Sequence, residues 1–317
     1  MDNKISVLFL NPLKANLQES ITNLSPNIKL TVVKPEEAEP YLAETTVLVT
    51  WGQMNIDSWL PKMGKLKWIH VLSAGVDQLL SPAVIKTEIP VTNSKGIHGI
   101  PISEYIFANL LAFYRNLFVL EAQQKEKIWK RPMSEELFDK TIGIIGLGAI
   151  GREVAKRSKA FGLEVFACKK TATDELFIDK LFLESQMNEM LPLCDIVVLA
   201  LRLTPETEHS FNKERFQLMK NDACLVNISR GQIIRDADLI EALEKGEIRH
   251  AFLDVFEEEP LPESSPLWTV PQITLTPHVA ALTPHYMDRA VQVFTTNLER
   301  FESEAPLLNL MDPKKGY

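Results

Sequence analysis

Short apolar runs separated by amphipathic or turn-rich stretches organise the first hundred residues. Ile5–Leu10, Leu30–Val33, Thr46–Thr50, Trp68–Leu72 and Ile89–Thr92 each have the length and composition of a buried strand. The segments between them carry helical spacing or turn residues. Repeated alternation of strand and helix predicts a parallel sheet with helices on its faces. Pro101, Ile102, Ser103 and Glu104 then form a helix start signal, followed by an apolar-rich stretch to about Gln124. Such a helix fits a link between two domains, and its apolar excess fits a dimer contact. A second strand–helix series opens at Thr141, with strands expected at Ile142–Gly146, Glu164–Cys168, Ile196–Ala200, Cys224–Ile228, Ala251–Asp254 and Ile273–Thr276. A last helix is expected from about Pro284 to Phe301, and the polar tail Asp312–Tyr317 is expected to be disordered.

Composition narrows the class. A chain of 317 residues accommodates two domains of ordinary size, and 45% hydrophobic with 24% charged residues is a globular balance. The net charge of −8 argues against a general nucleic-acid or acidic-membrane binder, though not against a local basic pocket. Cys168, Cys194 and Cys224 are widely spaced and form no CxxC pair. That favours free thiols in a reducing compartment over disulfides, and no metal site is expected. No apolar run approaches the roughly 20 residues of a spanning helix. The start, MDNKISVLFLNP, lacks the apolar segment and cleavage site of a signal peptide, so the cytoplasm is the expected location.

The first candidate chemistry is a glycine loop. Gly146, Gly148 and Gly151 make a GxGxxG between an expected strand and the helical run from Arg152. The first glycine permits a tight turn, the second lets a pyrophosphate approach the backbone, and the third lets helix and strand pack closely. The helix N-terminus then offers free N–H groups and partial positive charge to phosphates. In a site for NAD the next strand ends in an acid that bonds the ribose 2′-hydroxyl. Here Lys169 stands at that place, 18 residues after Gly151, followed by Lys170 and Thr171. Two ammonium groups and a hydroxyl suit a 2′-phosphate, so NADP is expected in preference to NAD, which stays possible. The alternative is that both lysines are merely solvated at a strand end.

With these motifs in place the chain resembles the D-isomer-specific 2-hydroxyacid dehydrogenases, and within them the glyoxylate/hydroxypyruvate and D-2-ketoacid reductases. The likeness runs over nearly the whole chain. LSAGVD at 72–77 is similar to the family's substrate loop, and NSKG at 93–96 and ISE at 102–104 to its entry into the interdomain helix. LTPET at 203–207 is similar to a loop beside the cofactor. NISRG at 227–231, LDVFEEEPLP at 253–262 and TPHVA at 276–280 are similar to its three catalytic segments. The resemblance implies two doubly wound α/β domains, with a Rossmann-type cofactor domain (103–282) inserted into a flavodoxin-like substrate domain (1–102 with 283–317). It also implies an active site in the cleft between them, and a homodimer through the cofactor domains.

Position and resemblance together single out three side chains. Arg230 follows an apolar strand at its carboxyl end, where open parallel sheets bind ligands, and a guanidinium there can hold a carboxylate by two parallel bonds. On position alone it could equally be a surface arginine. The resemblance makes it the residue that binds the substrate carboxylate and polarises the keto oxygen. Glu259 lies 29 residues on, directly before Pro260, and His278 another 19 residues on. By resemblance they form the acid–base pair. Hydride arriving at a keto carbon leaves negative charge on oxygen, and histidine can deliver the proton near neutral pH. The neighbouring Glu257 and Glu258 read as solvated. The resemblance further implies backbone binding of the substrate carboxylate around Ala74 and Gly75. It places Ala149, Ile150, Thr204, Pro205, Thr207, Ile228, Ser229, Asp254 and Ala280 along the cofactor, Asp254 against the nicotinamide amide; a loop cap is the plainer reading of Asp254. Trp51, Leu72 and Tyr286 are candidates for shaping the substrate pocket.

Three departures from the family pattern stand out: Arg202 replaces a proline, Ser103 an alanine, and Lys169 with Lys170 the acid. The expected activity is reduction of a small 2-keto acid by NADPH. A formate dehydrogenase fits less well, since that relative resembles a version with Gln at position 259 and needs no acid–base pair. A long phosphoglycerate dehydrogenase would need a further domain. A non-enzymatic dinucleotide sensor or corepressor of the same fold is the rival from another class.

Overall fold

In the computed structural model, which describes residues 4–76 and 78–312, the strands follow in the order β1 (Ile5–Phe9), β2 (Ile28–Val32), β3 (Val47–Thr50), β4 (Trp68–Val71), β5 (Val91–Asn93), β6 (Thr141–Ile145), β7 (Glu164–Lys169), β8 (Lys180–Leu183), β9 (Ile196–Leu199), β10 (Cys224–Asn227), β11 (His250–Leu253) and β12 (Ile273–Leu275). The α-helices are α1 (Ala15–Thr22), α2 (Pro82–Lys86), α3 (Gly99–Tyr114), α4 (Leu117–Lys125), α5 (Ala149–Ala160), α6 (Met187–Met190), α7 (Lys213–Leu218), α8 (Asp236–Glu244) and α9 (Tyr286–Glu302). They fall into two compact units, one of Met1–Ile97 with Thr283–Tyr317 and one of His98–Leu282. Asp77 and all of the polar tail beyond Asp312 lie outside the described residues.

The first unit holds a parallel sheet in the order β2-β1-β3-β4-β5. Alternate residues of its strands face opposite layers. Val7, Phe9, Val47, Val49 and Trp68 meet Leu17 and Ile21 of α1 and Phe294 and Leu298 of α9. Leu8, Leu48, Ile69 and Val71 meet Leu42, Ile56, Leu79 and Val84 on the other face. This two-sided burial explains why the strands read as continuous apolar runs.

The second unit holds a parallel sheet in the order β12-β11-β10-β9-β6-β7-β8. Helices α3 and α5 cover one face through Ile106, Leu110, Val154 and Ala155. Helices α6, α7 and α8 cover the other through Met190, Phe216, Leu239 and Leu243. Strand order reverses between β6 and β9. In open α/β sheets the crevice beyond the carboxyl ends of such a pair is where ligands bind.

Two expectations need correction. The helix expected to run from Pro101 to about Gln124 is two helices, α3 and α4. Asn116 takes the left-handed conformation (φ 56°) that asparagine tolerates, and its side-chain amide donates to Met133 O (2.9 Å), which breaks the run there. The sequence reading also missed β8. It is an edge strand with only Phe182 buried, so it carries no sustained apolar run.

Candidate active site

The glycine loop follows β6 and opens α5. Gly146 has φ 99°, and a Cβ there would collide with the Ala200 carbonyl beyond β9. A Cβ at Gly151 would strike the Gly146 carbonyl. Gly148 has no atom within 4 Å of where a Cβ would lie, so its backbone faces open space. Helix α5 begins there with no side-chain cap and no acidic residue in its first turn. Its first amides, from Ala149 and Ile150, are therefore left for an external anion. The site fits a pyrophosphate on these grounds alone.

Because every strand runs the same way, the segments after β6, β9, β10, β11 and β12 emerge on one edge of the sheet. After β9, Thr207 Oγ1 donates to Arg202 O (2.6 Å) and accepts from Thr204 N (2.7 Å), fixing the turn around the exposed Pro205. After β10, Ile228 is buried, and Ser229 Oγ donates to Leu199 O (2.6 Å), tying the two strand ends together. Arg230 comes next, half-buried, its backbone carbonyl accepting from Asn227 Nδ2 (3.1 Å) and its own guanidinium donating to Ser229 O (2.9 Å). A Cβ at Gly231 would collide with the backbone of Phe256 and Glu257, so only glycine lets this segment lie against the loop that carries Glu259. His98, at the start of α3, was not singled out by the sequence. Burial, reinforced by Arg230, pushes its imidazole down to about 4, so it stays neutral near pH 7 and the positive charge here is Arg230's.

The His278 turn is held from below. Asp254 is buried, and its carboxylate accepts from Thr276 Oγ1 (2.6 Å), Val279 N (2.9 Å) and Ala280 N (2.9 Å). Tyr105 of α3 meets the same Thr276 hydroxyl (2.7 Å), and burial pushes its phenol up to about 12. Of the two readings of Asp254, the observed bonds are those of a loop cap. His278 adopts φ 52°, a conformation that costs a residue with a Cβ about 1–2 kcal/mol and so needs such bracing. Its Nδ1 lies 2.7 Å from Glu259 Oε2, while Glu259 Oε1 accepts from Phe256 N (3.0 Å). Nε2 is the remaining nitrogen available to a reactant, and the ring is half exposed. Glu257 and Glu258 are exposed.

At the end of β7 the lysine pair divides. Lys170 is exposed. Lys169 is only 16% exposed, and its ammonium donates to Glu175 Oε1 (2.6 Å) and Thr173 Oγ1 (2.7 Å). Solvation at a strand end therefore does not describe Lys169. Arg152, the residue after the third glycine, grips the same Glu175 with two bonds (2.8 and 2.7 Å). Neither Arg152 nor Glu175 was picked out from the sequence; the only signal was an arginine at the helix start and an acid six residues past the lysine.

In the first unit, Ala74 and Gly75 sit in the turn after β4. Asn93 Nδ2 donates to Ala74 O (2.6 Å) and Ser73 Oγ to Gly75 O (2.7 Å). Trp51 packs on Tyr286 (ring centroids 5.7 Å apart), whose hydroxyl donates to Leu72 O (3.1 Å). The Leu72 side chain is wholly buried in the core, so it does not line a pocket. Ser103, which replaces an alanine, donates its hydroxyl to the carbonyls of Gly99 and Ile100 inside α3. The three cysteines are free and buried, and burial raises each thiol, to about 11 for Cys168 and Cys224 and about 12 for Cys194.

Residues 107–280 match the family model of the D-isomer specific 2-hydroxyacid dehydrogenase NAD-binding domain, more than half of the chain. The chain belongs to this family. Among its members, a glyoxylate/hydroxypyruvate reductase A from Photorhabdus laumondii is 33% identical over 80% of this chain and 82% of its own. A D-3-phosphoglycerate dehydrogenase from Methanocaldococcus jannaschii is 32% identical over 93% of this chain, which spans only 57% of that protein's length. A solved D-isomer specific 2-hydroxyacid dehydrogenase family protein from Aeromonas salmonicida superposes with a TM-score of 0.90 at 33% identity, covering 98% of this chain and 99% of the other. A solved NADPH-dependent glyoxylate/hydroxypyruvate reductase from Sinorhizobium meliloti, in complex with NADP and sulfate, gives 0.84 at 25% identity, covering 99% and 100%. Among the described residues no helix is long and apolar enough to cross a membrane, and no group of side chains could hold a metal ion.

Proposed function

We propose that this member of the family is an NADPH-dependent reductase of a small 2-keto acid of the glyoxylate or hydroxypyruvate kind. The observation that carries the reading is the 2.7 Å bond between His278 Nδ1 and Glu259, on the same sheet edge as Arg230 and the glycine loop. A nicotinamide held at the glycine loop would supply the hydride for the keto carbon. Arg230 holds the substrate carboxylate through paired N–H groups and draws negative charge toward the keto oxygen. His278 gives that oxygen its proton from Nε2, and Glu259 orients the ring through its contact with Nδ1. The product is the 2-hydroxy acid, with the histidine left neutral until solvent reprotonates it. Ala74 and Gly75 are proposed as backbone donors to the same class of carboxylate. Thr204, Pro205, Thr207, Ile228, Ser229 and Ala280 are proposed to line the dinucleotide, with Lys169 and Lys170 on the side of its 2′-phosphate. The proposed direction is reduction, because a 2′-phosphate binder draws on the reduced pool.

Two settings accompany this reading. The segment after α3 exposes Leu117, Phe118, Ile128, Trp129 (90%), Met133 (93%) and Phe138, an apolar excess that supports a homodimer through the second unit. Three buried free thiols suit a reducing cytoplasm.

The test is the fall in NADPH absorbance with glyoxylate, hydroxypyruvate or a branched 2-keto acid. His278→Ala should lower turnover by roughly 10²–10⁴-fold while NADPH binding survives. A variant turning over near the wild-type rate removes His278 from the chemistry. Tight NADPH binding with no turnover of any of these acids would make the protein a dinucleotide sensor instead.

A further inference from the structure

The second unit contains an anion site that is filled by the chain's own carboxylate. Glu175 stands in the irregular segment between β7 and β8, yet its side chain is only 7% exposed. Its two oxygens accept four bonds. Arg152 donates to both, and Lys169 (2.6 Å) and the Thr173 hydroxyl (2.8 Å) both donate to Oε1. Arg152, then Lys169, hold the carboxyl well below the usual range, so it stays ionised across the physiological span. The cationic donors come from the first turn of α5 and the last residue of β7, and the hydroxyl from the segment after β7, beside the crevice where a doubly wound sheet places the adenosine ribose.

We propose that Glu175 is an internal competitor for the 2′-phosphate of a dinucleotide and so sets the balance between NADP and NAD. This rests on reading the crevice as a dinucleotide site. A monoester phosphate brings a charge of about −1.5 to −2 and three acceptor oxygens, against one charge and two oxygens for the carboxylate. It can therefore take over Arg152, Lys169 and Thr173, with Glu175 swinging out on its irregular loop. A ribose hydroxyl has no charge with which to displace the carboxylate. It would leave the ion cluster intact and meet Glu175 as a hydrogen-bond acceptor, the role the acid at the strand end plays in an NAD site. One residue thus lowers affinity for the phosphorylated cofactor and supports the other.

The consequence is a population argument. If Glu175 fills the site more than nine-tenths of the time, the apparent affinity for a 2′-phosphate is reduced about tenfold or more, and removing the carboxylate restores it. The experiment measures dissociation constants of 2′,5′-ADP, 5′-AMP and NADPH by calorimetry on the full chain, without substrate. Variants are Glu175→Ala, Glu175→Gln as the same-size control, and Arg152→Met with Lys169→Met to remove the donors. Expected is about tenfold or greater tightening for 2′,5′-ADP in both Glu175 variants, no tightening for 5′-AMP, and loss of the difference between the two nucleotides in the donor variant. Unchanged or weaker 2′,5′-ADP binding in a folded Glu175→Gln protein overturns the competition. If NADPH still binds and turns over in that case, the reductase reading stands without it. If no nucleotide binds to wild type or variants, both are overturned.

Discussion

Asp254→Asn removes one charge from beneath the His278 turn. The wild-type carboxylate accepts two backbone amides at 2.9 Å and the Thr276 hydroxyl at 2.6 Å in a buried setting. An asparagine has one acceptor oxygen. In its better orientation that oxygen serves Thr276 and Val279, and its NH2 then faces the Ala280 N–H. One buried donor left unpaired costs about 1–3 kcal/mol, and loss of charge from the surviving bonds costs roughly 1 kcal/mol more. The sum of about 2–4 kcal/mol corresponds to a melting point lower by roughly 5–15 °C for a unit of this size. His278 at φ 52° loses the bracing that holds it there, and a displacement of about 1 Å at a reacting group can cost 10²-fold in rate. The assay pairs thermal unfolding with kcat and with the NADPH dissociation constant. Expected are a lower Tm, kcat reduced by about 10–100-fold, and cofactor affinity within about threefold of wild type. Wild-type Tm and kcat would refute the capping argument. A normal Tm with cofactor affinity weakened by more than about tenfold would mean that Asp254 acts on the nicotinamide amide instead.

Three further outcomes are expected. Arg230→Lys replaces a planar two-bond grip by a single ammonium, so kcat/KM for the keto acid should fall by about 10–100-fold with NADPH affinity unchanged; equal kcat/KM would show that the carboxylate is held elsewhere. Burial, and secondarily Glu257, raises Asp236 to about 6, so its charged form opposes folding above that pH. Asp236→Asn should therefore raise Tm at pH 7–8, with the gain fading as pH falls through 6 toward 4, and a gain constant with pH would refute this. The exposed apolar side chains beyond α3 should make the protein a dimer by sedimentation, and Trp129→Glu with Met133→Glu should shift it to monomer; a monomeric wild type would end that proposal.

Much of the site was legible because local rules set it. The spacing of Gly146, Gly148 and Gly151 answers steric demands within a few residues, and the structure meets each of them at the Ala200 and Gly146 carbonyls and at the open face of Gly148. Strands β1, β3, β4, β6, β7, β9, β10 and β11 were legible because burial on both faces writes an unbroken apolar run. The edge strand β8 was not, since a half-covered strand needs no such run. The break at Asn116 was not either, because asparagine only permits the left-handed turn, and bonds to Met133 and Ser134 select it.

What folding alone decided are the partners of charged groups. Lys169 read as a ligand for a 2′-phosphate, or else as solvated at a strand end, because nothing in the sequence required Glu175, with Arg152 from another element, to converge on it. The capping bonds of Asp254 to the Val279 and Ala280 amides likewise join positions about 25 residues apart in the chain. Side-chain type and spacing specify which chemistry a position can perform. Which of the available partners it takes depends on distances of a few ångströms that only the folded chain sets, because charge attraction acts at short range and sequence order does not carry those distances.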